Sequence, residues 1–272
     1  MSLGNSGIVV RTAKLSDAVR VSNLFCEDGT NPYDLSAQKW LHYYNDYPEG
    51  QPVALVAEID GEIVGHYGML PIHIGDSPAM LGLHAYVSTK CRGLTVISAL
   101  MAEVDNICRA RGAAMICGFA NSKFALIKKT FYKWHTPLWL GFKKGTALAD
   151  TNRENSPFYF KYSDAWYTWR FGEERDYYLS CFTDAEGILR KQLLKARNIV
   201  YNVNMLADSE CWSKSDTYPK DPGDRFYQPF SVKIFDKSFI DRGVLLPENW
   251  FIEMGDSDTF RYTAWRETVC YE

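Results

Sequence analysis

The chain has 272 residues, enough for one large domain or two small ones. Its formal net charge of −3 argues against a nucleic-acid footprint, which needs a strongly basic face. Neither a bilayer-spanning apolar run nor a secretory signal is expected, and seven scattered cysteines with no C-x-x-C pair argue against a disulfide framework or zinc site and for a reducing, cytoplasmic compartment. Residues 8–11 read as a first strand. Ser16 is the expected N-cap of a helix through Phe25, with Ala18, Val21, Leu24 and Phe25 on one side. A short helix over 36–45 carries Trp40, Leu41 and Tyr44. Residues 53–59 are an apolar, β-branched run, and Asp60-Gly61 supplies the two positive-φ positions of a tight hairpin. Residues 63–74 return as the next strand, with Gly65 and Gly68 inside it marking a bulge or a close approach of another backbone.

Residues 81–134 carry most of the functional information. A strand over 81–88 leads into an Arg92-Gly93 loop, a helix over 96–109, a strand over 113–119 and a further helix opened by Asn121. In the first of these helices Ile97, Leu100, Met101, Val104, Ile107 and Cys108 form one apolar stripe, and Gly112 stops it. A strand feeding an Arg-Gly loop at a helix N-terminus is a place to hold phosphate. The first N–H groups of a helix lack partners within it, and the macrodipole adds partial positive charge there. The element order predicts an α/β (α+β) layer around a mixed, mostly antiparallel sheet. The texture changes near residue 146. Residues 150–157 read as a polar linker, followed by an aromatic block over 158–178. A strand–turn–strand is expected around 184–187 and another strand over 198–206. Residues 208–225 read as a polar surface excursion, with strands again over 232–235 and 250–254.

These residues resemble the GNAT superfamily of acyl-CoA-dependent N-acyltransferases. The family's central motif, Arg/Gln-x-x-Gly-x-Gly/Ala at a helix start, maps onto Arg92-Gly93-Leu94-Thr95-Val96-Ile97. Thr95 and Ile97 stand where the family has its two glycines. The segments 10–17, 57–65 and 118–121 resemble the family's first strand and helix, its hairpin, and the end of its fifth strand. The resemblance covers roughly residues 8–145. The remainder is similar to the C-terminal region of some acetyltransferases of surface-polysaccharide synthesis. It implies a GNAT-like acyl-CoA-binding domain over 1–146 and a C-terminal α+β region over 158–272, a second GNAT-like half being one form it could take, that shapes the acceptor site. The implied reaction moves an acetyl group from acetyl-CoA to a primary amine of a small molecule, first an amino sugar, by direct attack in a ternary complex. No metal is expected. The expected partner is that small-molecule amine, with no nucleic acid and no membrane span, and a homodimer is admitted.

By the same resemblance, N–H groups of Arg92, Gly93, Leu94, Thr95, Val96 and Ile97 cradle the diphosphate. A backbone N–H near Tyr86 or Val87 polarises the thioester carbonyl, and Asn121 opens the following helix beside the cofactor. An ammonium of pKa near ~10 must lose a proton before it attacks. His84, in the fourth strand, is the first candidate base, ahead of His66, His73 and Glu58. The family's spacing from Asn121 to a general-acid tyrosine lands on Lys128, and Tyr132 lies one turn further on. Two other readings stand beside this one. The first is a degenerate GNAT-like module that binds a ligand or partner without turnover. The second is a metal-dependent transferase using a sugar nucleotide held by Asp256 and Asp258.

Overall fold

The computed structural model describes residues 7–27, 35–142, 156–171, 178–183, 189–195, 198–204, 212–215 and 227–252. The chain divides into two units, Met1–Ile72 with Pro78–Ile116, and His73–Ser77 with Cys117–Glu272. The elements that lie wholly or partly in the first unit are β1 (Val9–Thr12), α1 (Ala18–Phe25), α2 (Ala37–Tyr44), β2 (Val53–Ile59), β3 (Glu62–Ile74), β4 (Ser77–Val87), α3 (Leu94–Ala110) and β5 (Met115–Phe119). Its strands are ordered β1-β2-β3-β4-β5, with β1 antiparallel to β2 and β2 antiparallel to β3. The hairpin falls where Asp60-Gly61 places it, with φ of 51° and 80°. Helix α3 packs over β1 and β2, and Leu100, Met101, Val104 and Cys108 of its stripe are buried.

The start of α1 differs from expectation. Ser16 is not its N-cap. It lies in a 3-10 turn over Leu15–Asp17, and α1 begins at Ala18. Asp17 has the stronger claim on the local donors, accepting the Lys14 N–H at 2.8 Å. It is also paired with Arg11 at 2.7 Å and Arg20 at 3.2 Å. The hydrogen bond from Arg11 holds the Asp17 carboxyl down at about 2.

Glycines in β3 admit the neighbouring layers. A Cβ on Gly65 would meet Val96 of α3, and one on Gly68 would meet the hydroxyl and ring of Tyr44 of α2. Gly68→Ala is therefore expected to lower stability by about 1–3 kcal/mol, the range for overpacking a filled core. Urea denaturation checks this. A loss below about 0.5 kcal/mol, the range of neutral surface changes, would mean that Tyr44 does not lie on the strand.

The main stretch of the second unit begins inside β5, at Cys117. Its further elements are α4 (Ser122–Tyr132), β6 (His135–Phe142), β7 (Phe158–Lys161), α5 (Asp164–Phe171), β8 (Tyr178–Thr183), β9 (Leu189–Lys195), β10 (Asn198–Asn204), β11 (Trp212–Ser215), β12 (Tyr227–Ile234), α6 (Ser238–Asp241) and β13 (Trp250–Phe251). Strand β6 is flanked by β12 and β11, both antiparallel to it, and β10-β9-β8 form a separate meander. Strands β6 and β11 were not expected. β11 lies within residues 208–225, so that stretch is not wholly a surface excursion. The aromatic block supplies core: Phe158, Phe160, Trp166 and Trp169 are buried, with Phe158 against Phe239 and Trp250 and Phe160 against Phe230, and the Trp250 indole donates to the Val244 carbonyl at 2.7 Å. The expected turn at 184–187, most of the linker and the Asp256/Asp258 pair lie outside the described residues.

Candidate functional site

The Arg-Gly loop and the start of α3 have the form a diphosphate needs. Gly93 occupies the N-cap position and so brings no capping side chain, and the first turn carries no acidic residue. The leading N–H groups of a 17-residue helix can thus serve an external acceptor, with the dipole in support. Gly93 is extended, with φ 163°, and a Cβ built on it would meet nothing within 4 Å. Arg92, Gly93, Leu94 and Thr95 are exposed, whereas Val96 and Ile97 are buried. The isoleucine that replaces the motif's second glycine is thus turned into the core. The threonine at the first is at the surface, where its hydroxyl can donate. These residues fit a coenzyme A diphosphate.

Glu27, just beyond α1, braces the loop from the other side. Its carboxylate accepts the Thr89 N–H at 2.5 Å, the Ser88 hydroxyl at 2.8 Å and the Tyr86 hydroxyl at 3.4 Å. Burial works to raise its pKa, but these hydrogen bonds outweigh it and hold the group ionised below its ordinary value. Tyr86 and Val87 are the last two residues of β4 and are half-buried.

His84 is less accessible than its strand position suggests. It is 5 % exposed, its Nδ1 lies 3.0 Å from the Tyr44 hydroxyl, and the Tyr43 ring meets it edge-on at 4.7 Å. Its backbone has φ +51°, a left-handed conformation inside a strand. Its carbonyl faces Nδ1 of the fully buried His66 at 2.7 Å, and the Trp40 indole donates to His66 Nε2 at 3.0 Å. Burial pushes His66 down to about 4, so His66 is neutral and engaged at both nitrogens. Glu58 is paired with Arg11 at 2.7 Å and Arg20 at 3.2 Å, and the Arg11 hydrogen bond holds it below the usual range. Both are poor bases. His73 is exposed near the end of β3.

The remaining expected residues belong to the second unit. Asn121 is the N-cap of α4, its side chain accepting the Phe124 N–H at 2.8 Å. Tyr132 ends α4 and is half-buried. Lys128, at the spacing where the family has a tyrosine, is 2 % exposed, with Nζ 3.9 Å from the Trp134 ring centroid and 4.9 Å from that of Phe124. Trp40, Tyr43, Tyr44 and Glu27 were not anticipated beside His84 and the loop. Gly68 carried a usable signal, because a glycine within an otherwise apolar strand announces a close neighbour.

Residues 19–126 match the family model described as the acetyltransferase (GNAT) family. Two solved structures align over most of the chain. One is a conserved protein of unknown function from Enterococcus faecalis V583, described as a probable N-acyltransferase. It is 10% identical with a TM-score of 0.59, and the alignment covers 85% of this chain and 73% of that one. The other is a GCN5-related N-acetyltransferase from Kribbella flavida, 11% identical with a TM-score of 0.55, covering 84% of this chain and 72% of that one. At this identity the likeness is one of fold. No curated protein sequence matches the chain. Fold and family model together define an acyl-CoA N-acyltransferase. Residues 19–126 form a domain of the GNAT acetyltransferase family. Among the described residues no helix is long and apolar enough to cross a membrane.

Proposed function

We propose that the protein transfers an acetyl group from acetyl-CoA to the primary amine of a small molecule, by direct attack within a ternary complex. The observation that carries this reading is the uncapped N-terminus of α3 behind Arg92-Gly93, within a domain matched by the acetyltransferase family. The acyl-CoA-binding domain is proposed to span residues 1–146, with residues 158–272 shaping the acceptor site. An amino sugar is the first acceptor class to try, because its rings suit the aromatic-rich second region. The proposed setting is the cytoplasm.

The bound thioester supplies an activated acyl carbon. N–H groups from Arg92 to Ile97 hold the diphosphate. A backbone N–H at Tyr86 or Val87 donates to the carbonyl oxygen as negative charge grows there. His84, hydrogen-bonded to Tyr44, takes the proton that the acceptor ammonium must lose. Tyr132 is the proposed donor to the departing thiolate, and Asn121 shapes the start of α4.

Calorimetric titration with acetyl-CoA, followed by transfer assays on a panel of amino sugars and simple amines at several pH values, tests the reading. Binding and amine acetylation support it. Binding with no transfer to any amine would point to a module without turnover, and no binding would remove the reading. His84→Ala is expected to lower kcat/KM by about 10²–10⁴, the range for a positioned acid–base group, and to abolish one limb of the pH–rate profile. An unchanged profile would remove His84 from the proton path.

A further inference from the structure

Strand β4 leaves the extended conformation at His84, whose φ is +51°. For a residue with a Cβ this costs about 1–2 kcal/mol, so surrounding contacts must hold it. The contacts are specific. A carbonyl oxygen only accepts hydrogen bonds, so His66 Nδ1, 2.7 Å from the His84 carbonyl, carries a hydrogen. An indole N–H only donates, so His66 Nε2, 3.0 Å from the Trp40 nitrogen, carries a lone pair. Two partners of opposite kind leave the imidazole a single tautomer and a single ring orientation. The Phe25 ring at 5.5 Å and the Tyr44 ring at 5.7 Å, both edge-on, pack around it.

We infer that His66 is a positioning residue for acyl transfer: by gripping the His84 carbonyl it imposes the left-handed kink in β4 and so aims the N–H groups that follow, at Tyr86 and Val87. The inference rests on the proposed function, which uses one of those N–H groups at the thioester carbonyl. A positive φ within a strand rotates the adjoining peptide planes and re-aims what comes after, as a bulge does. Without the His66 bond the strand gains by relaxing toward extended geometry, and the donor turns away. His66 itself touches neither substrate nor diphosphate cradle in this scheme.

Two substitutions separate this role from simple space-filling. The amide nitrogen of His66→Asn falls where Nδ1 lies and still donates to the His84 carbonyl, while losing Trp40. The longer His66→Gln places its amide where Nε2 lies, accepting from Trp40 and releasing His84. The expected order is a kcat within about fivefold of the parent for Asn and a loss of about 10²-fold for Gln, the scale of one lost oxyanion donor. Acetyl-CoA affinity by calorimetry is expected to stay within about threefold in both, because the cradle is untouched. A space-filling role gives the reverse order, since Gln is nearer to histidine in volume. Equal losses, the reverse order, or affinity falling in step with kcat would overturn the inference.

A second measurement needs no variant to fold and no turnover. Long-range ¹H–¹⁵N correlation spectra of the parent protein are expected to show His66 as the Nδ1–H tautomer, without titration between pH 5 and 8. An Nε2–H tautomer or an imidazolium there would overturn the inference alone. A parent protein that neither binds acetyl-CoA nor acetylates any amine would overturn the functional reading, and the positioning role with it, even with the tautomer as expected.

Discussion

Thr95→Asp is expected to weaken acetyl-CoA binding by at least about a hundredfold while raising the stability of the protein. The two effects have opposite signs for one reason. Helix α3 begins without a capping side chain and without an acidic residue in its first turn. A carboxylate there meets the positive end of the helix and is worth about 0.3–1 kcal/mol to the fold. The same carboxylate occupies the position proposed for diphosphate. Two like charges about 4 Å apart repel by about 4 kcal/mol at an effective dielectric near 20, more than the roughly 2.7 kcal/mol that a hundredfold requires. Calorimetry and thermal unfolding on the same preparation read both. Unchanged affinity would place the diphosphate elsewhere and leave α3 as an ordinary helix start.

The second large effect is at Lys128. Burial pushes its ammonium from 10.5 down to about 7, with Cys117 acting weakly in the opposite sense. In the unfolded chain the lysine keeps its ordinary pKa. Between pH 7 and 10.5 the unfolded state therefore binds more protons, and stability rises with pH across that window. Below pH 7 the folded protein bears the full penalty, on the order of 5 kcal/mol from linkage. The Trp134 face beneath the amine returns up to about 2 kcal/mol of it as cation–π attraction. Lys128→Met keeps the unbranched shape and removes the charge. It is expected to be about 2–4 kcal/mol more stable than the parent at pH 6, with the difference shrinking toward pH 10. Urea denaturation at pH 6, 8 and 10 checks this. A pH-independent difference would mean that the amine is not buried as a titrating group.

The two effects fall on residues of differing legibility. A helix start beside Thr95 is marked by the strand, the Arg-Gly loop and the apolar helical stripe, although the helix begins at Leu94 rather than at residue 96, and the place of Thr95 in the motif comes from the family resemblance. In the sequence Lys128 stands out only as a departure from the family's tyrosine. Its burial against Trp134 depends on where the chain goes after Lys133, whose left-handed φ of 58° ends α4. The strand that follows, β6, went unanticipated because its residues contain Pro137 and carry no clean alternation. It is secured by pairing with β11 and β12, which are distant in sequence.

By itself the sequence determined what depends on near neighbours: the Asp60-Gly61 hairpin, the Asn121 cap, the apolar stripe of α3 and the Arg92-Gly93 loop that precedes it. Each rests on backbone sterics or on hydrogen bonds within a few residues. Only the tertiary structure decided the state of the histidines. His66 and His84 are both strand histidines, and the family resemblance alone ranks His84 first as a base. The Trp40 indole and the Tyr44 hydroxyl arrive from a separate helix, and they make one histidine a neutral two-sided clamp and the other a kinked partner of a tyrosine. Local patterning could not foresee it, because which imidazole nitrogen carries the proton is set by the partner on the far side, and here that partner is some forty residues or more away along the chain from the carbonyl it helps to hold.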